Sequence, residues 1–301
     1  MAPQIILNIL LIILFLLLLI PKICNSRNVT ENFANANQND NANQNDNVNK
    51  GENAKNNHLK NHKTNSIPKV IYKSGKGQPV KKVQELFDKT LENNPGFKIE
   101  YYDDEDSRAF ISDNFEKDVL DAFDILKPGA YKADLFRYCI LYKKGGIWSD
   151  LTDDYLVPLD KIINLEEDEL FLVDDRPVGK NNMAGIQISF MAARPKNKLY
   201  WKCIQQIVKN TQNRLLGDTP FEVTGPHLCR RKLRECITED PNLKVRIDYK
   251  FSDNGHYYVH KKTGDKIAKY KSIGKQNLDK ILDKNKNYYL DMWLQKDIYH
   301  R

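Results

Sequence analysis

Residues 133–154 constrain the fold of this 301-residue chain more than any other segment. An amphipathic stretch that carries Asp134 and Arg137 stops at a glycine pair, 145–146, and a short apolar run then leads to Asp150 in an acidic turn. Helix, glycine stop, strand and terminal carboxylate is the order in which an α/β protein places a charged group in the crevice at a sheet edge. Because a carboxylate and an arginine there suit a metal-bound diphosphate, the segment predicts an enzyme that handles nucleotide-sugars.

The N-terminus carries an apolar segment that is short for a membrane span. Residues 5–20 are almost all Ile and Leu, and prolines at 3 and 21 bound them. A spanning helix needs about 20 apolar residues, with about 17 as the lower limit, whereas the apolar part of a secretory signal is shorter. We therefore expect residues 1–24 to be either a single-pass signal-anchor helix or a cleaved signal peptide.

A change in composition separates residues 25–66 from the rest. This segment is dominated by Asn, repeats the hexapeptide Asn-Ala-Asn-Gln-Asn-Asp at 35–40 and 41–46, and has hardly any large apolar side chains. Such a segment cannot bury enough surface to offset the entropy of ordering it, so we expect a disordered stem. Residues 67–301 have a globular composition and are expected to form one catalytic domain.

The charge and the cysteines argue against two other classes of function. The formal net charge is +7, and the lysines are interleaved with acids instead of forming one stripe, so nucleic acid is not an expected partner. The globular part has cysteines at 139, 203, 229 and 236, without the paired close spacing of a zinc site. Cys229 and Cys236 either pair in an oxidising compartment or stay as buried free thiols.

Strand-like and helix-like patterns alternate along the globular part, which predicts an α/β sheet with flanking helices. β-branched or alternating apolar residues predict strands at 67–72, 97–101, 169–173, 185–193, 244–247 and 256–259. Apolar residues at helical spacing predict helices at 80–91, 132–144, 198–213 and 226–236. The acidic run 103–106 precedes a further helical pattern, and we expect it to have a structural role because a helix dipole favours acids at its start.

Asp134 and Arg137 allow two interpretations. In a helix they lie three residues apart on one face, where an ion pair between them is worth only about 0.2–0.5 kcal/mol. In the functional interpretation, Arg137 meets a phosphate or the Asp150 carboxylate, while Asp134 accepts hydrogen bonds from sugar or ribose hydroxyls. Their place just before Gly-Gly-Ile-Trp-Ser-Asp at 145–150 favours the functional interpretation.

Three stretches in this region resemble a known family. They are Ala-Asp-Leu-Phe-Arg-Tyr at 133–138, Leu-Tyr-Lys-Lys-Gly-Gly-Ile-Trp-Ser-Asp at 141–150 and Pro-Leu-Asp at 158–160. They look like the sugar-binding region of the DXD-containing glycosyltransferases of family 32, which includes initiation-type α-1,6-mannosyltransferases and inositolphosphoceramide mannosyltransferases. The large bacterial glucosylating toxins are more distantly similar. The resemblance covers most of residues 67–230 and continues weakly through Thr-Gly-Pro at 224–226.

The resemblance implies a GT-A fold, a nucleotide-sugar donor, a Mn²⁺ or Mg²⁺ ion and retention of the anomeric configuration. Asp134 and Arg137 match the positions that hold the sugar and phosphate of the donor, and Asp150 matches the first carboxylate of the D-x-D pair. Trp148 matches the aromatic residue just before that carboxylate. The first three are therefore the expected catalytic residues, and all four are expected to bind the donor.

The chain departs from the family pattern at the second acid of the pair, where Thr152 stands. In an extended chain Asp154 lies about 13 Å from Asp150, at roughly 3.3 Å per residue, which is too far to share one ion. A tight turn at 152–153 is needed to bring Asp153 close. The expected metal ligands are thus Asp150, Thr152 and Asp153; otherwise Asp150, water and the diphosphate hold the ion.

The first predicted strand departs as well. Family members often have His-Gln and a tryptophan after the Pro-Lys run, whereas this chain has Tyr72, Lys73 and Gly75 there. The resemblance therefore implies nothing about base stacking at this strand.

These observations predict a membrane-tethered glycosyltransferase that faces the Golgi or ER lumen, or is secreted if the N-terminal segment is cleaved. It is expected to move a hexose from a GDP- or UDP-sugar to a hydroxyl of a glycan or glycolipid. The alternative is a catalytically inactive relative that binds nucleotide-sugars or glycans, because Thr152 replaces the second acid.

Overall fold

The computed structural model of the chain describes residues 66–178, 183–273 and 288–301. The predicted anchor or signal at 1–24 and all but the last residue of the predicted stem at 25–66 lie outside these residues. Within the described residues, no helix is long and apolar enough to cross a membrane. The anchor, the stem and the boundary at residue 67 therefore stay predictions.

Strands and helices are mixed in the first half of the described chain. In order they are β1 (Val70–Ser74), α1 (Lys81–Glu92), β2 (Lys98–Tyr102), α2 (Asp104–Asn114), α3 (Lys117–Ile125), α4 (Gly129–Lys144), β3 (Gly146–Ser149), β4 (Asp154–Tyr155) and α5 (Leu159–Ile162). The acidic run has the structural role expected of it. Asp103 caps α2 by accepting hydrogen bonds from the amides of Glu105 and Asp106, and Asp106 accepts one from the amide of Asp103.

Strands dominate the second half. The elements are β5 (Leu170–Val178), β6 (Met183–Ile186), β7 (Phe190–Ala193), α6 (Lys198–Gln212), α7 (Pro226–Glu239), β8 (Val245–Phe251), β9 (Tyr257–His260), β10 (Lys266–Lys269) and α8 (Tyr289–Leu294). The described strands form one mixed sheet in the order β2-β1-β3-β7-β5-β8-β9-β10-β4, and β6 pairs with β5 off this path. β1 runs parallel to β2 and β3, so the predicted α/β sheet with flanking helices is confirmed.

The two ends of the sheet curl toward each other. β3 and β4 stand third and last in the strand order, but only residues 150–153 connect them, so the two strands must lie close together in space. Alternate residues of β5 point to opposite faces of the sheet. Phe171 and Val173 join one buried cluster inside the curl, whereas Leu170 and Leu172 join another beneath the helices. The turn at 150–153 therefore lies where the curled end of the sheet meets its first strands.

Helix α4 is buried on almost every side, because it packs against the sheet, α3 and α6. Its buried residues are Tyr131, Asp134, Leu135, Phe136, Arg137, Tyr138, Cys139, Ile140 and Leu141. The helix begins at Gly129, three residues earlier than predicted, and Pro128 is its extended N-cap residue. Its end at the glycine pair is confirmed.

The single strand predicted at 185–193 is wrong, since β6 and β7 are separate strands. The chain turns between them, and the amide of Phe190 donates to the carbonyl of Gln187. This turn releases the carbonyl of Ile188 from the sheet ladder, so that it can accept a hydrogen bond from Arg137. The break between β6 and β7 therefore provides a hydrogen-bond acceptor for the buried Arg137.

Gly146→Ala tests the requirement for glycine where α4 meets the sheet. Gly146 has a φ of 102°, and a Cβ atom there would lie 2.8 Å from Tyr72 Cε2 and 2.9 Å from the carbonyl oxygen of Val70. Backbone strain and overpacking should lower the free energy of unfolding by about 2–4 kcal/mol, measured by urea denaturation. The control is Gly77→Ala, at a φ of 59° with nothing within 4 Å, which should cost only about 1 kcal/mol. Equal losses would contradict this account.

Candidate active site

The predicted ion pair of α4 is buried. Arg137 Nη2 lies 3.0 Å from Asp134 Oδ1, and the two side chains are only 7% and 12% exposed. An ion pair removed from water in this way costs desolvation energy, which further hydrogen bonds must offset. Thr224 Oγ1 supplies one of these, donating to Asp134 Oδ2 at 2.8 Å.

Arg137 also connects α4 to the end of β3. Its Nη1 donates to the carbonyl of Ile188 at 2.6 Å and lies 3.5 Å from Asp150 Oδ1. The guanidinium lies 4.9 Å from the centre of the Trp148 ring, and the Trp148 indole N–H donates to the same Asp150 oxygen at 3.1 Å. Asp134, Arg137, Trp148 and Asp150 therefore come together around one guanidinium, and their roles in binding a donor stay predictions.

Burial and charge shift the titration of this group. Burial raises the pKa of Asp134 to about 6, although Arg137 and Thr224 oppose the shift. Burial also disfavours the charge of Arg137, but Asp134 and Asp150 outweigh it and raise the pKa of Arg137. The arginine thus stays cationic, and Asp134 is ionised mainly above about pH 6.

The chain makes a tight turn after Asp150. Such a turn is the condition under which Asp153 can lie near Asp150. The amide of Asp153 donates to the carbonyl of Asp150 at 3.2 Å, and the amide of Asp150 donates to the carbonyl of Ser189 at 2.8 Å. Asp153 is completely buried. Its Oδ2 accepts a hydrogen bond from Tyr258 at 3.1 Å, while Oδ1 has no partner among the described residues. Burial and the nearby Asp150 raise the pKa of Asp153 well above its usual range.

Asp154 contacts a different part of the chain. It forms an ion pair of 2.7 Å with Lys89 of α1. Residues 153 and 154 therefore separate, with one carboxylate inside the protein and the other at a helix on its surface.

The fit of this turn to a divalent cation depends on which oxygens face outward. Asp150 has a side chain that is 30% exposed, and its contacts with Trp148 and Arg137 both fall on Oδ1. Thr152 and Asp153 are buried, and no group of three or more His, Cys, Asp or Glu residues in the described part is arranged to hold a metal. The turn fits an ion held by one chain carboxylate and completed by substrate oxygens and water. The ligand set Asp150, Thr152 and Asp153 stays a prediction.

Lys73 is a residue of this site to which the sequence assigned no role. It lies on β1 with none of its surface exposed, and its Nζ donates to Ser149 Oγ and to the carbonyl of Asp150, both at 2.9 Å. Burial lowers the pKa of Lys73 to about 8, against the opposing charges of Asp153 and Asp150. The departure from the family pattern at this position was the only signal for it in the sequence.

The segment before α7 covers the Asp134 side of the site. Besides the bond from Thr224, Tyr131 donates to the carbonyl of Pro220 and Tyr138 to that of Thr224. A Cβ atom on Gly225 would lie 3.5 Å from Asp134 Oδ2, so the backbone approaches this carboxylate closely. The Thr-Gly-Pro at 224–226 thus supports Asp134, a role that its weak resemblance did not reveal.

The cysteines of the described residues do not pair. Cys139, Cys203, Cys229 and Cys236 are buried free thiols, so of the two alternatives for Cys229 and Cys236 the free thiols are correct. Both residues lie on α7 and point into the apolar cluster beneath the helices.

Arg137→Met tests the central position of the guanidinium. The variant leaves two carboxylates and the carbonyl of Ile188 without their cation, and breaking a buried pair in this way typically costs about 3–5 kcal/mol. The control is Arg108→Met, which removes an exposed ion pair with Asp124 and should leave the unfolding free energy almost unchanged. Urea denaturation at neutral pH measures both. A similar small loss in the two variants would mean that Arg137 does not hold the site together.

Comparison with known proteins shows which family this site resembles. The model of the glycosyltransferase sugar-binding region containing the DXD motif matches residues 80–168, which include the acidic turn and most of the surrounding residues. Two curated relatives come from Schizosaccharomyces pombe. One, an initiation-specific alpha-1,6-mannosyltransferase, is 26% identical over 188 residues, or 53% of this chain and 46% of its own length. The other, inositol phosphoceramide mannosyltransferase 2, is 26% identical over 202 residues, or 64% of this chain and 56% of its own length.

Among solved structures, the PaToxG glycosyltransferase is similar with a TM-score of 0.44 and 16% identity, covering 58% of this chain and 71% of that one. The chain spans about half the length of the two curated relatives. The match at 80–168 and the two relatives show that this part of the chain is similar to the glycosyltransferases whose sugar-binding region contains the DXD motif.

Proposed function

We propose that this protein is a GT-A-type glycosyltransferase that moves a hexose from a GDP- or UDP-sugar to a hydroxyl of a glycan or glycolipid. The observation that carries the proposal is the buried Arg137, fixed between Asp134 and Asp150 inside the matched sugar-binding region. A cation and two carboxylates around one point suit a ligand that has both phosphates and hydroxyls.

Each side chain has a role in the proposed reaction. Arg137 binds a donor phosphate, and its contacts with Asp134 and Ile188 hold the guanidinium in place before the donor arrives. Such preorganisation is valuable because no reorganisation is needed as charge develops on the leaving group. Asp134 accepts hydrogen bonds from hydroxyls of the sugar, and Trp148 keeps Asp150 in position through its indole N–H.

A Mn²⁺ or Mg²⁺ ion is expected at Asp150. When bound, it neutralises charge on the departing diphosphate as a Lewis acid. Asp150 is the carboxylate of the turn that solvent reaches, so we assign it as the chain's main ligand. The family resemblance supports a transfer with retention of configuration, which an NMR assignment of the anomeric proton of the first product would check.

The relatives indicate where to begin with substrates. Both are named as mannosyltransferases, and one is named for inositol phosphoceramide. Mannose is therefore the first sugar to test, with GDP-mannose as donor and inositol phosphoceramide or a mannose-containing glycan as acceptor. The apolar residues 5–20 and the Asn-rich residues 25–66 support a membrane tether and a stem that present the enzyme in the secretory lumen.

The test is a donor screen on the purified chain with MnCl₂ or MgCl₂, using GDP-mannose, UDP-glucose, UDP-galactose and their N-acetyl forms. We expect metal-dependent transfer or hydrolysis with at least one donor, and a loss on the order of 100-fold or more in Asp150→Ala. Asp113→Ala, at an exposed position of α2, is the control and should be fully active. Activity retained in Asp150→Ala would overturn the role of Asp150. Donor binding by calorimetry without turnover of any donor would favour the inactive, binding relative.

Thr224→Val gives a pH test of Asp134. The Thr224 hydroxyl stabilises the ionised carboxylate, so its removal raises the pKa of Asp134 above the present value of about 6. A hydrogen bond to a charged group is worth about 1.5–3 kcal/mol, and one pKa unit corresponds to about 1.4 kcal/mol. If ionised Asp134 binds the donor, the acid limb of kcat/KM should move to higher pH by roughly one unit. Thr238→Val, on the exposed face of α7, should not move it, and an unmoved limb in Thr224→Val would contradict the assignment.

A further inference from the structure

Lys73 is buried directly beneath the turn that carries Asp150. β1 and β3 are parallel neighbours, with Ile71 opposite Ile147 and Tyr72 opposite Trp148. The next residue on each strand is Lys73 and Ser149, so strand pairing brings the lysine to the end of β3. There its Nζ donates to Ser149 Oγ and to the Asp150 carbonyl, both at 2.9 Å.

A fully buried lysine is rare unless it has polar partners, and the partners of Lys73 are informative. The Asp150 carbonyl that it binds is the same one that accepts the amide of Asp153 and closes the turn. Lys73 therefore acts on the backbone of the turn, at the atom on which the turn depends. A methionine of similar length has no donor for either acceptor.

The turn has an inner and an outer side. The inner side contains Lys73 and the buried Asp153, whose Oδ2 is held by Tyr258. The outer side presents Asp150, the carboxylate with a partly exposed side chain. An acid in place of the buried Thr152 would add another negative charge to a turn that already has two carboxylates.

We propose that Lys73 is a positioning residue that fixes the backbone of residues 149–153, so that Asp150 alone is presented to the metal and the diphosphate of the donor. This inference rests on the proposed function only in its last part. The order that Lys73 imposes on the turn can be measured without any ligand, and its effect on ligand binding is a separate measurement.

The first experiment is hydrogen exchange of the full chain, read by mass spectrometry on peptides that cover 146–155. Lys73→Met should speed exchange in the turn by at least about tenfold, as expected when hydrogen bonds to a charged group are lost, while peptides of α4 keep their rates. Lys69→Met, at an exposed position just before the same strand, is the control. Ser149→Ala is a milder variant that removes one acceptor and leaves every charge in place, and it should also speed exchange there. Unchanged exchange in both test variants would overturn the proposal.

The second experiment separates positioning from charge balance. Lys73→Met combined with Asp153→Asn removes the lysine together with the buried acid of the inner side, whereas Lys73→Gln keeps a hydrogen-bond donor but not the charge. Calorimetry with MnCl₂ and GDP or UDP measures binding to each. The proposal predicts that the double variant folds but binds about 10–100-fold more weakly than the parent, and that Lys73→Gln binds better than the double variant.

Parent-like binding and turnover in the double variant would show that Lys73 is only a counter-ion and would overturn the proposal. If the parent itself binds no nucleotide, the proposed function fails. The exchange result then still decides whether Lys73 orders the turn.

Discussion

The buried guanidinium of Arg137 is the interaction on which the rest of the site depends. It joins Asp134 in its own helix, the carbonyl of Ile188 between two strands and Asp150 at the end of β3. Three separate parts of the chain thus meet at one cation. A buried cation of this kind is costly unless its neighbours supply matching acceptors. The acceptors on α4, between β6 and β7 and in the turn after β3 therefore all have to be in place at once.

The glycine pair and β1 make this meeting possible. Gly146 allows β3 to start directly beside Val70 and Tyr72, which brings Trp148 and Asp150 under α4. The same parallel pairing places Lys73 below the turn. On the Asp134 side, the segment before α7 contributes Thr224, whose hydroxyl donates to the Asp134 carboxylate. The site is therefore enclosed by contacts from both sides, with Asp150 as its solvent-accessible acid.

Local patterns in the sequence predicted the central part of this arrangement. Periodicity and glycine conformation predict the end of α4 at a glycine pair, the short strand after it and the carboxylate that follows. All three features come from one short segment, and the structure confirms their positions. The contacts of Lys73, Thr224 and Tyr258 join residues separated by 76, 90 and 105 positions. Such contacts depend on strand order and curl, which periodicity does not encode. The prediction of one strand at 185–193 was wrong for a similar reason. The strand is interrupted where the Ile188 carbonyl accepts a hydrogen bond from Arg137, which is 51 positions away in the sequence.

The central claim is that the donor's diphosphate binds between Arg137 and Asp150. A crystal structure of the full chain with MnCl₂ and GDP or UDP tests it most directly. The account predicts a phosphate oxygen within hydrogen-bonding distance of Arg137 and a metal ion coordinated by Asp150, with Asp153 still buried against Tyr258. A nucleotide bound away from α4, or a metal ion coordinated by Asp153 without Asp150, would contradict it.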